Sequence, residues 1–238
     1  MGLVLGVAFI VGFIALGASV RHLRTTENTI SVTGSAKERV SSDIGKFSGT
    51  WSRQTTKATI ASGYTNLALD LDKIKAFLKS EGMTDAEIAI DPSTSYTEYD
   101  YDDKGNRVME SERVILQQDV TVTSTDLAKI KKLADDASEI AKRGVFFTPN
   151  QPQYLYSSEK LSTIRVSLMS KAITDAKNRA DAIAEATGSK VTKLANASSG
   201  VVQLLKPDSV DVEDYGSYDT TTIEKDVMIT VRANFELN

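Results

Sequence analysis

The sequence predicts an α+β protein in which helices pack on one side of an antiparallel or mixed β-sheet, preceded by an N-terminal transmembrane helix. Two observations indicate this class. The helical segments each present one apolar stripe, while the strand segments mostly alternate apolar with polar residues. In addition, the order strand, helix, hairpin occurs twice, which predicts a duplicated βαββ unit with halves at about residues 40–125 and 145–238.

The first half is defined by an amphipathic helix. Its apolar residues are spaced by four and three, so they lie on one face. They are Ile60, Tyr64, Leu67, Leu71, Ile74 and Leu78. Strands at residues 30–34 and 46–53 precede this helix, and Gly82 is suited to its C-terminal cap.

A hairpin and a further helix complete the first half. Residues 88–101 and 107–123 are predicted to form two long arms, because the segment between them contains the Asp, Gly and Asn that a hairpin connection needs. A helix is expected over residues 126–142, with Ser124 or Thr125 as its N-cap.

The second half begins with an interrupted strand and a long helix. Pro149 and Pro152 fall within residues 145–156, so that strand should lie at an edge or contain a bulge. The helix over residues 159–187 has a ridge of small side chains that should let it lie very close to a sheet or to another helix. The ridge consists of Leu168, Ala172, Ala176, Ala180 and Ala184.

The last predicted element is a second hairpin. Residues 191–205 form one arm, and residues 227–237 form the other. Apart from Met228, apolar and polar residues alternate along the second arm, which predicts a half-buried strand.

The N-terminus is predicted to be a membrane anchor at residues 1–24. Residues 2–20 carry no charge, and a run of this length is close to the ~20 apolar residues that cross a hydrocarbon core. The anchor residues include Leu3, Val7, Ile10, Phe13 and Leu16. Ala15 and Gly17 also place small residues at the alternate positions that a signal peptidase prefers, so a cleaved signal is the alternative to a retained anchor.

Composition excludes several classes of function. The formal charge of −4 and the pI near 5.2 give no basic surface for nucleic acid. The absence of cysteine excludes disulfides, thiolate zinc sites and cysteine nucleophiles. The only histidine, His22, directly follows the apolar run, which leaves no Ser-His-Asp triad in the globular part. We therefore predict no catalytic residue, no cofactor and no metal, and we do not expect an enzyme.

One hairpin tip is superficially similar to a calcium loop. Residues 100–105 place Asp at the first and third positions and Gly at the sixth. However, Lys104 occupies the fifth position, and Ser111 stands at the twelfth, where a bidentate Glu is required. A solvated hairpin tip is favoured, and weak divalent binding is the alternative.

Several residues are candidates for a subunit interface. The acidic segment 208–226 surrounds two tyrosines and is either solvated or in contact with basic residues of a neighbouring copy. The single tryptophan either fills the core or contacts another subunit. The full set of candidates is Trp51, Ala172, Ala176, Ala180, Tyr215 and Tyr218.

The chain resembles the SIMPL family, formerly called domain of unknown function 541. The resemblance lies in Ile-Ser-Val-Thr-Gly-Ser-Ala-Lys-Glu-Arg-Val at residues 30–40 leading to Asp43, in Pro-Gln-Tyr-Leu-Tyr at residues 152–156, and in the Ala- and Arg-rich segment 171–188 followed by Lys190. It covers nearly the whole chain past residue 28, so we assign residues 25–238 to a SIMPL domain.

The resemblance implies a secreted, periplasmic or membrane-tethered protein of a family whose better-known members assemble into large rings. It supplies no catalytic residues, and for some members a link to oxidative-stress tolerance is proposed. An extracytoplasmic domain is predicted on this ground, although Arg21 and Arg24 directly follow the anchor and the positive-inside rule alone would hold the domain in the cytoplasm.

Two functions therefore compete. The first is a non-enzymatic scaffold, anchored by a single pass in the cytoplasmic membrane, whose extracytoplasmic domains form a ring-like homo-oligomer with an envelope or oxidative-stress role. The alternative is a monomeric or dimeric binding module that captures a peptide, lipid or small molecule in an apolar cleft. Partners other than the chain itself and the membrane are not indicated.

Overall fold

The structure is a computed structural model that describes residues 28–209 and 216–238. Its strands are β1 (Thr29–Ser41), β2 (Ile44–Thr55), β3 (Ile88–Ile90), β4 (Thr94–Tyr101), β5 (Arg107–Ser124), β6 (Phe147–Pro149), β7 (Gln153–Leu155), β8 (Val191–Ser199), β9 (Gln203–Leu205) and β10 (Glu224–Leu237). Its helices are α1 (Ile60–Ser80), α2 (Leu127–Asp135), α3 (Ser138–Lys142) and α4 (Ser158–Ala186), and a 3-10 turn at Lys57–Thr59 leads into α1.

The strands form two sheets, which confirms a mixed α+β fold with antiparallel sheets. One sheet has the order β1-β10-β8, with β9 also paired to β10. The other has the order β3-β5-β2-β6, with β4 paired to β5 and β7 to β2. That the chain is a duplication of one βαββ unit stays a prediction.

The described residues fall into two compact units. The smaller unit consists of residues 28–36, 168–200 and 229–238, and the larger unit of residues 37–167, 201–209 and 216–228. Each has its own apolar core.

The core of the larger unit is built by α1, α2 and α3 with β2 and β5. Leu67, Ile74 and Leu78 of the predicted α1 stripe are buried, whereas Ile60 and Tyr64 at its start remain exposed. The helix ends as predicted, because Gly82 takes up a left-handed conformation with φ of 83° that other residues adopt at a cost.

The predicted helix over residues 126–142 is interrupted. It forms α2 and α3, which are separated at Asp136 and Ala137. The prediction of Ser124 or Thr125 as its N-cap is wrong: the cap is Asp126, whose carboxylate accepts the backbone N–H of Lys129 at 3.1 Å. A carboxylate at this position serves the cap as well as a hydroxyl does, and it also suits the helix dipole.

The prediction of an interrupted edge strand between residues 145 and 156 is confirmed. The segment forms β6 and β7, which both pair with β2 and are separated at residues 150–152. Pro149 ends the first of these strands, consistent with its missing N–H donor.

The core of the smaller unit confirms the close packing predicted for the alanine ridge. Ala172, Ala176 and Ala180 have no exposed surface. A Cβ atom added to Gly34 of β1 would lie 2.1 Å from the carbonyl oxygen of Ala172 and 2.4 Å from the backbone nitrogen of Ala176. The strand and the helix therefore approach to backbone contact, which only glycine allows at residue 34.

The predicted anchor, residues 1–24, lies outside the described residues. Within residues 28–209 and 216–238, no helix is both long and apolar enough to span a membrane.

Candidate functional site

The start of β10 carries two adjacent buried charges, Lys225 and Asp226. Neighbouring residues on a strand point to opposite faces, so each charge must find its own partners. The sequence prediction of a solvated or interfacial acidic segment at 208–226 is wrong for Asp219 and Asp226, since both side chains are buried in the chain itself.

Lys225 forms a buried ion pair with Asp219. Its ammonium nitrogen lies 3.3 Å from a carboxylate oxygen of Asp219 and donates to the carbonyl of Thr222 at 2.7 Å. Asp219 also accepts the hydroxyls and the backbone N–H groups of Thr221 and Thr222. The Asp219 carboxylate is thus surrounded by donors.

The pKa values of this pair follow from burial and from these donors. Burial raises the pKa of Asp219, but the hydrogen bonds from Thr222 and Thr221 and the charge of Lys225 together hold that pKa well below its ordinary value. Burial lowers the pKa of Lys225, and Asp219 offsets only part of that effect. Asp219 is therefore charged at neutral pH and is unsuited to act as a general base.

Asp226 is enclosed on the other face of β10 by basic side chains. Its carboxylate accepts from Arg39 Nε at 2.9 Å and from the backbone N–H of Asp208 at 3.0 Å, and it lies 3.0 Å from Lys37 Nζ. The hydrogen bond from Arg39 lowers the pKa of Asp226 well below its ordinary range, and the contact with Lys37 lowers this pKa further. Arg39 also contacts Asp208 at 2.7 Å, which ties the segment after β9 to β1.

A third buried carboxylate is Asp70 of α1. Arg53 of β2 binds both of its oxygens, and Lys73 lies 3.4 Å away on the next turn of the helix. Each of these three carboxylates, which are buried in the described part of the chain, is therefore held by fixed cations or several donors of its own chain. Such saturated pairs are typical of structural ion pairs, because a catalytic carboxylate must remain accessible to substrate.

The loop that is superficially similar to a calcium site is saturated in the same way. Asp102 accepts the backbone N–H groups of Lys104 and Asn106 at 2.9 and 2.8 Å, and the side-chain amide of Asn106 at 3.1 Å. A cation would have to displace these donors, so the geometry favours the hairpin-tip interpretation. Among the described residues, no three His, Cys, Asp or Glu side chains are arranged to hold a metal ion.

The candidate interface residues lie in different environments. Trp51 is fully buried and its indole N–H donates to the carbonyl of Leu67 at 3.3 Å, which supports the core-packing alternative. The alanine ridge is likewise buried within the smaller unit. Tyr218 is 46% exposed, and its hydroxyl exchanges hydrogen bonds with the backbone of Tyr156. Tyr215 and the anchor residues lie outside the described part of the chain.

The β4–β5 hairpin carries exposed large side chains that the sequence alone did not indicate. β5 pairs with β2 only from Val114 onward, so its residues 107–113 pair with β4 alone. Three large side chains here are about half or more exposed: Tyr96 at 47%, Tyr101 at 61% and Met109 at 62%. An isolated two-stranded hairpin is marginally stable in water, so this arm is suited to contact with another molecule.

The β8 strand is a second open surface. It lies at an edge of its sheet, and eight of its nine residues are exposed, including Leu194. Exposure of every residue from Thr192 to Ser199 shows that neither face of the strand is covered. The sequence gives only a weak indication of this open strand, because Ala, Ser and Asn produce no alternation of apolar and polar residues.

Two open clefts adjoin the end of β2. Each has a volume of about 430 Å³, and both are lined in part by Arg53 and Gln54. Hydroxyl and amide side chains complete the first cleft, whereas Ile115 and the exposed Phe146 contribute to the second. Either cleft has room for a small ligand.

The fold defines an α+β domain with antiparallel sheets, and its buried charges are occupied by partners within the chain. Comparison with protein families gives a match to the family SIMPL, described as a protein of unknown function (DUF541), over residues 30–235. The chain therefore belongs to the SIMPL family, as its resemblance predicted. A comparison with curated proteins gives no match.

Proposed function

We propose that this chain is a non-enzymatic scaffold that self-assembles into a ring-like homo-oligomer, held at the cytoplasmic membrane by residues 1–24 with its SIMPL domain outside. The observation that carries the proposal is the open β8 edge. Unpaired strand edges template pairing with further chains, and natural proteins normally protect them with charge, proline or a covering element. β8 has a single charged residue, Lys193, and no proline.

The exposed hairpin supports the same proposal. A closed ring needs two different surfaces on each copy, so that one copy's first surface meets the next copy's second. The β8 edge is one such surface, and the exposed β4–β5 arm of the larger unit is a further area that contact with a neighbouring copy would cover. An envelope or oxidative-stress role is the physiological setting that the family resemblance suggests.

The test is the mass of the assembly. The full-length protein, extracted in mild detergent, is measured by light scattering coupled to size exclusion, beside a chain that starts at Thr25. We expect a large discrete species of the same subunit number in both samples. A monomer in both would contradict the scaffold. Assembly of the full-length chain alone would place the contact at the anchor.

The second candidate is a binding module, and the clefts beside Arg53 and Gln54 favour it. Phe146, which is 74% exposed at the mouth of one cleft, is the residue to change because it carries little of the core. If the protein is monomeric, native mass spectrometry of material purified from its own membranes should show a co-purified ligand that Phe146→Ala loses. A monomer that carries no ligand would contradict this candidate.

A further inference from the structure

The sheet of the smaller unit has two free edges of matching character. Its order is β1-β10-β8, so β1 and β8 each have a strand neighbour on one side only among the described strands. The part of β1 in this unit, residues 29–36, contains no charged residue and no proline, and β8 contains only Lys193. On β1 the backbone N–H of Ser35 already donates to the Asp175 carboxylate of α4 at 2.8 Å. The part of β1 that lacks the usual protection against pairing is therefore residues 29–34.

The two edge strands run in the same direction. β8 is antiparallel to β10. At the other side, the backbone N–H of Leu237, at the end of β10, donates to the carbonyl of Asn28, just before β1 starts, at 2.7 Å. β1 therefore also runs antiparallel to β10, and it is parallel to β8.

The outer edge of β8 can be identified residue by residue. The N–H of Gly200 donates to the carbonyl of Thr230. Hydrogen-bonded pairs recur at every second residue of an antiparallel ladder, so Ser198 with Arg232 is the next such pair. Ala197 is the next residue after Ser198 along this ladder and lies opposite Ala233 in a non-hydrogen-bonded pair, so its own N–H and C=O point away from β10 to the open edge.

We propose that copies of this chain join by pairing the β8 edge of one copy with the β1 edge of the next, in parallel, so that one sheet continues around the assembly. This inference rests on the proposed self-assembly and names the contact that produces it. Pairing β8 with β8 would close a two-fold dimer and leave β1 open, whereas β8 with β1 is head-to-tail and repeats until the ring closes. In a ring whose axis runs along the strands, rotation from one copy to the next keeps the strand direction. Since β1 and β8 are parallel within one copy, this contact is then parallel.

The first test blocks the edge at one backbone atom. Ala197→Pro removes an N–H that points outward, and an edge strand tolerates proline at such a position. Ala197→Thr is the matched control, because it changes the side chain but keeps the donor. In the full-length protein in mild detergent, we expect Ala197→Pro to reduce the mass to that of a monomer and Ala197→Thr to retain the parent mass.

The second test uses the absence of cysteine from the chain, which makes every introduced thiol unique. On β1, Val32 and Gly34 face the helix, so Thr33 between them points to the other, open face of the sheet. On β8, Ser198 is paired with Arg232 of β10, and its side chain points to the same open face. Mild oxidation of the double variant Thr33→Cys/Ser198→Cys should give a ladder of linked multimers. Each single variant should give at least tenfold less linked product.

A shifted pair covers the alternative alignment of the two strands. Thr33→Cys/Asn196→Cys moves the β8 thiol by two residues on the same face, so one of the two double variants should form the ladder. Linked dimers from Ser198→Cys alone would overturn the inference in favour of β8 with β8. An assembly of parent mass in Ala197→Pro would overturn it while leaving the proposed scaffold intact. A monomeric parent protein would overturn both.

Discussion

Asp219 and Lys225 show how little a local sequence pattern reveals about burial. Both lie in the acidic segment 208–226, for which the sequence predicts either a solvated loop or a contact with a neighbouring copy, yet Lys225 has no exposed surface. The partner of Asp226, Arg39, is 187 residues away in the sequence. A pairing at that separation leaves no periodic signal, so only the folded chain could disclose it.

The buried pair should respond unequally to loss of either member. Asp219→Asn leaves the Lys225 ammonium buried without a counter-charge, and breaking a buried pair in this way costs about 3 kcal/mol of unfolding free energy. Lys225→Met leaves Asp219 with its hydroxyl and backbone donors, so we expect a loss of about 1 kcal/mol. Urea unfolding followed by circular dichroism measures both.

Raising the pH provides the control for this pair. The cost of Asp219→Asn should shrink between pH 7 and pH 10, because burial already lowers the pKa of Lys225 and the neutral amine loses less on burial. Equal costs for both substitutions, unchanged by pH, would contradict the assignment of Lys225 as the charge that needs compensation.

Acid should destabilise the larger unit through Asp219 and Asp226. Both have pKa values lowered below the ~3.9 of an unfolded aspartate, so their stabilisation is complete above that pH and is lost as pH falls toward the folded pKa values. We expect the unfolding free energy to be level between pH 7 and 5 and to decline below about pH 4. The unfolding free energy of Asp226→Asn should decline less steeply with falling pH than that of the parent protein. An identical slope in both would contradict the contribution of Asp226 to acid sensitivity.

Gly34 leaves no room for a side chain at the contact between β1 and α4. Gly34→Ala would drive a methyl group into the backbone of α4 near Ala172, and we expect a loss of about 3 kcal/mol or failure to fold, as in overpacked cores. Thr33→Ala, next to it on the open face, is the matched control and should cost less than about 1 kcal/mol. Thermal unfolding of the two variants distinguishes them.

At the scale of elements, periodic segments were predictable and interruptions were not. The stripes of α1 and α4 and the alternation of β10 are local, so residue spacing alone located these elements within a few positions. The break between α2 and α3 was missed because residues 126–142 continue an apolar spacing through it. The open surface of β8 was missed for the opposite reason, because its small polar residues form no pattern.

The β4–β5 hairpin yields a prediction at this scale. Changing Tyr96, Tyr101 and Met109 together to Ser should reduce the assembled fraction in detergent while moving the melting temperature by less than about 2 °C, since exposed side chains add little to stability. Leu69→Ser, which alters a residue 54% exposed on α1, is the control and should leave the mass unchanged. Unchanged assembly of the triple variant would remove the hairpin from the contact.

At the scale of the whole molecule, the side of the membrane on which the domain lies can be measured directly. The family resemblance places it outside, and Arg21 with Arg24 argues for the inside. Lys104→Cys puts a single thiol at the exposed hairpin tip of a cysteine-free chain. A membrane-impermeant maleimide should label it in intact spheroplasts. Labelling only after the membrane is broken would place the domain in the cytoplasm.

The two charges at the start of β10 also disfavour a shifted alignment of this strand with its neighbours. Lys225 is flanked by Glu224 and Asp226, so a slip of β10 by one residue in either direction would put a carboxylate beside Asp219. The same slip would place Lys225 or Val227, instead of Asp226, next to Arg39 and Lys37. Because one step also turns the apolar side of a strand to water, the wrong alignments are penalised twice, and the correct one is selected by repulsion as much as by attraction.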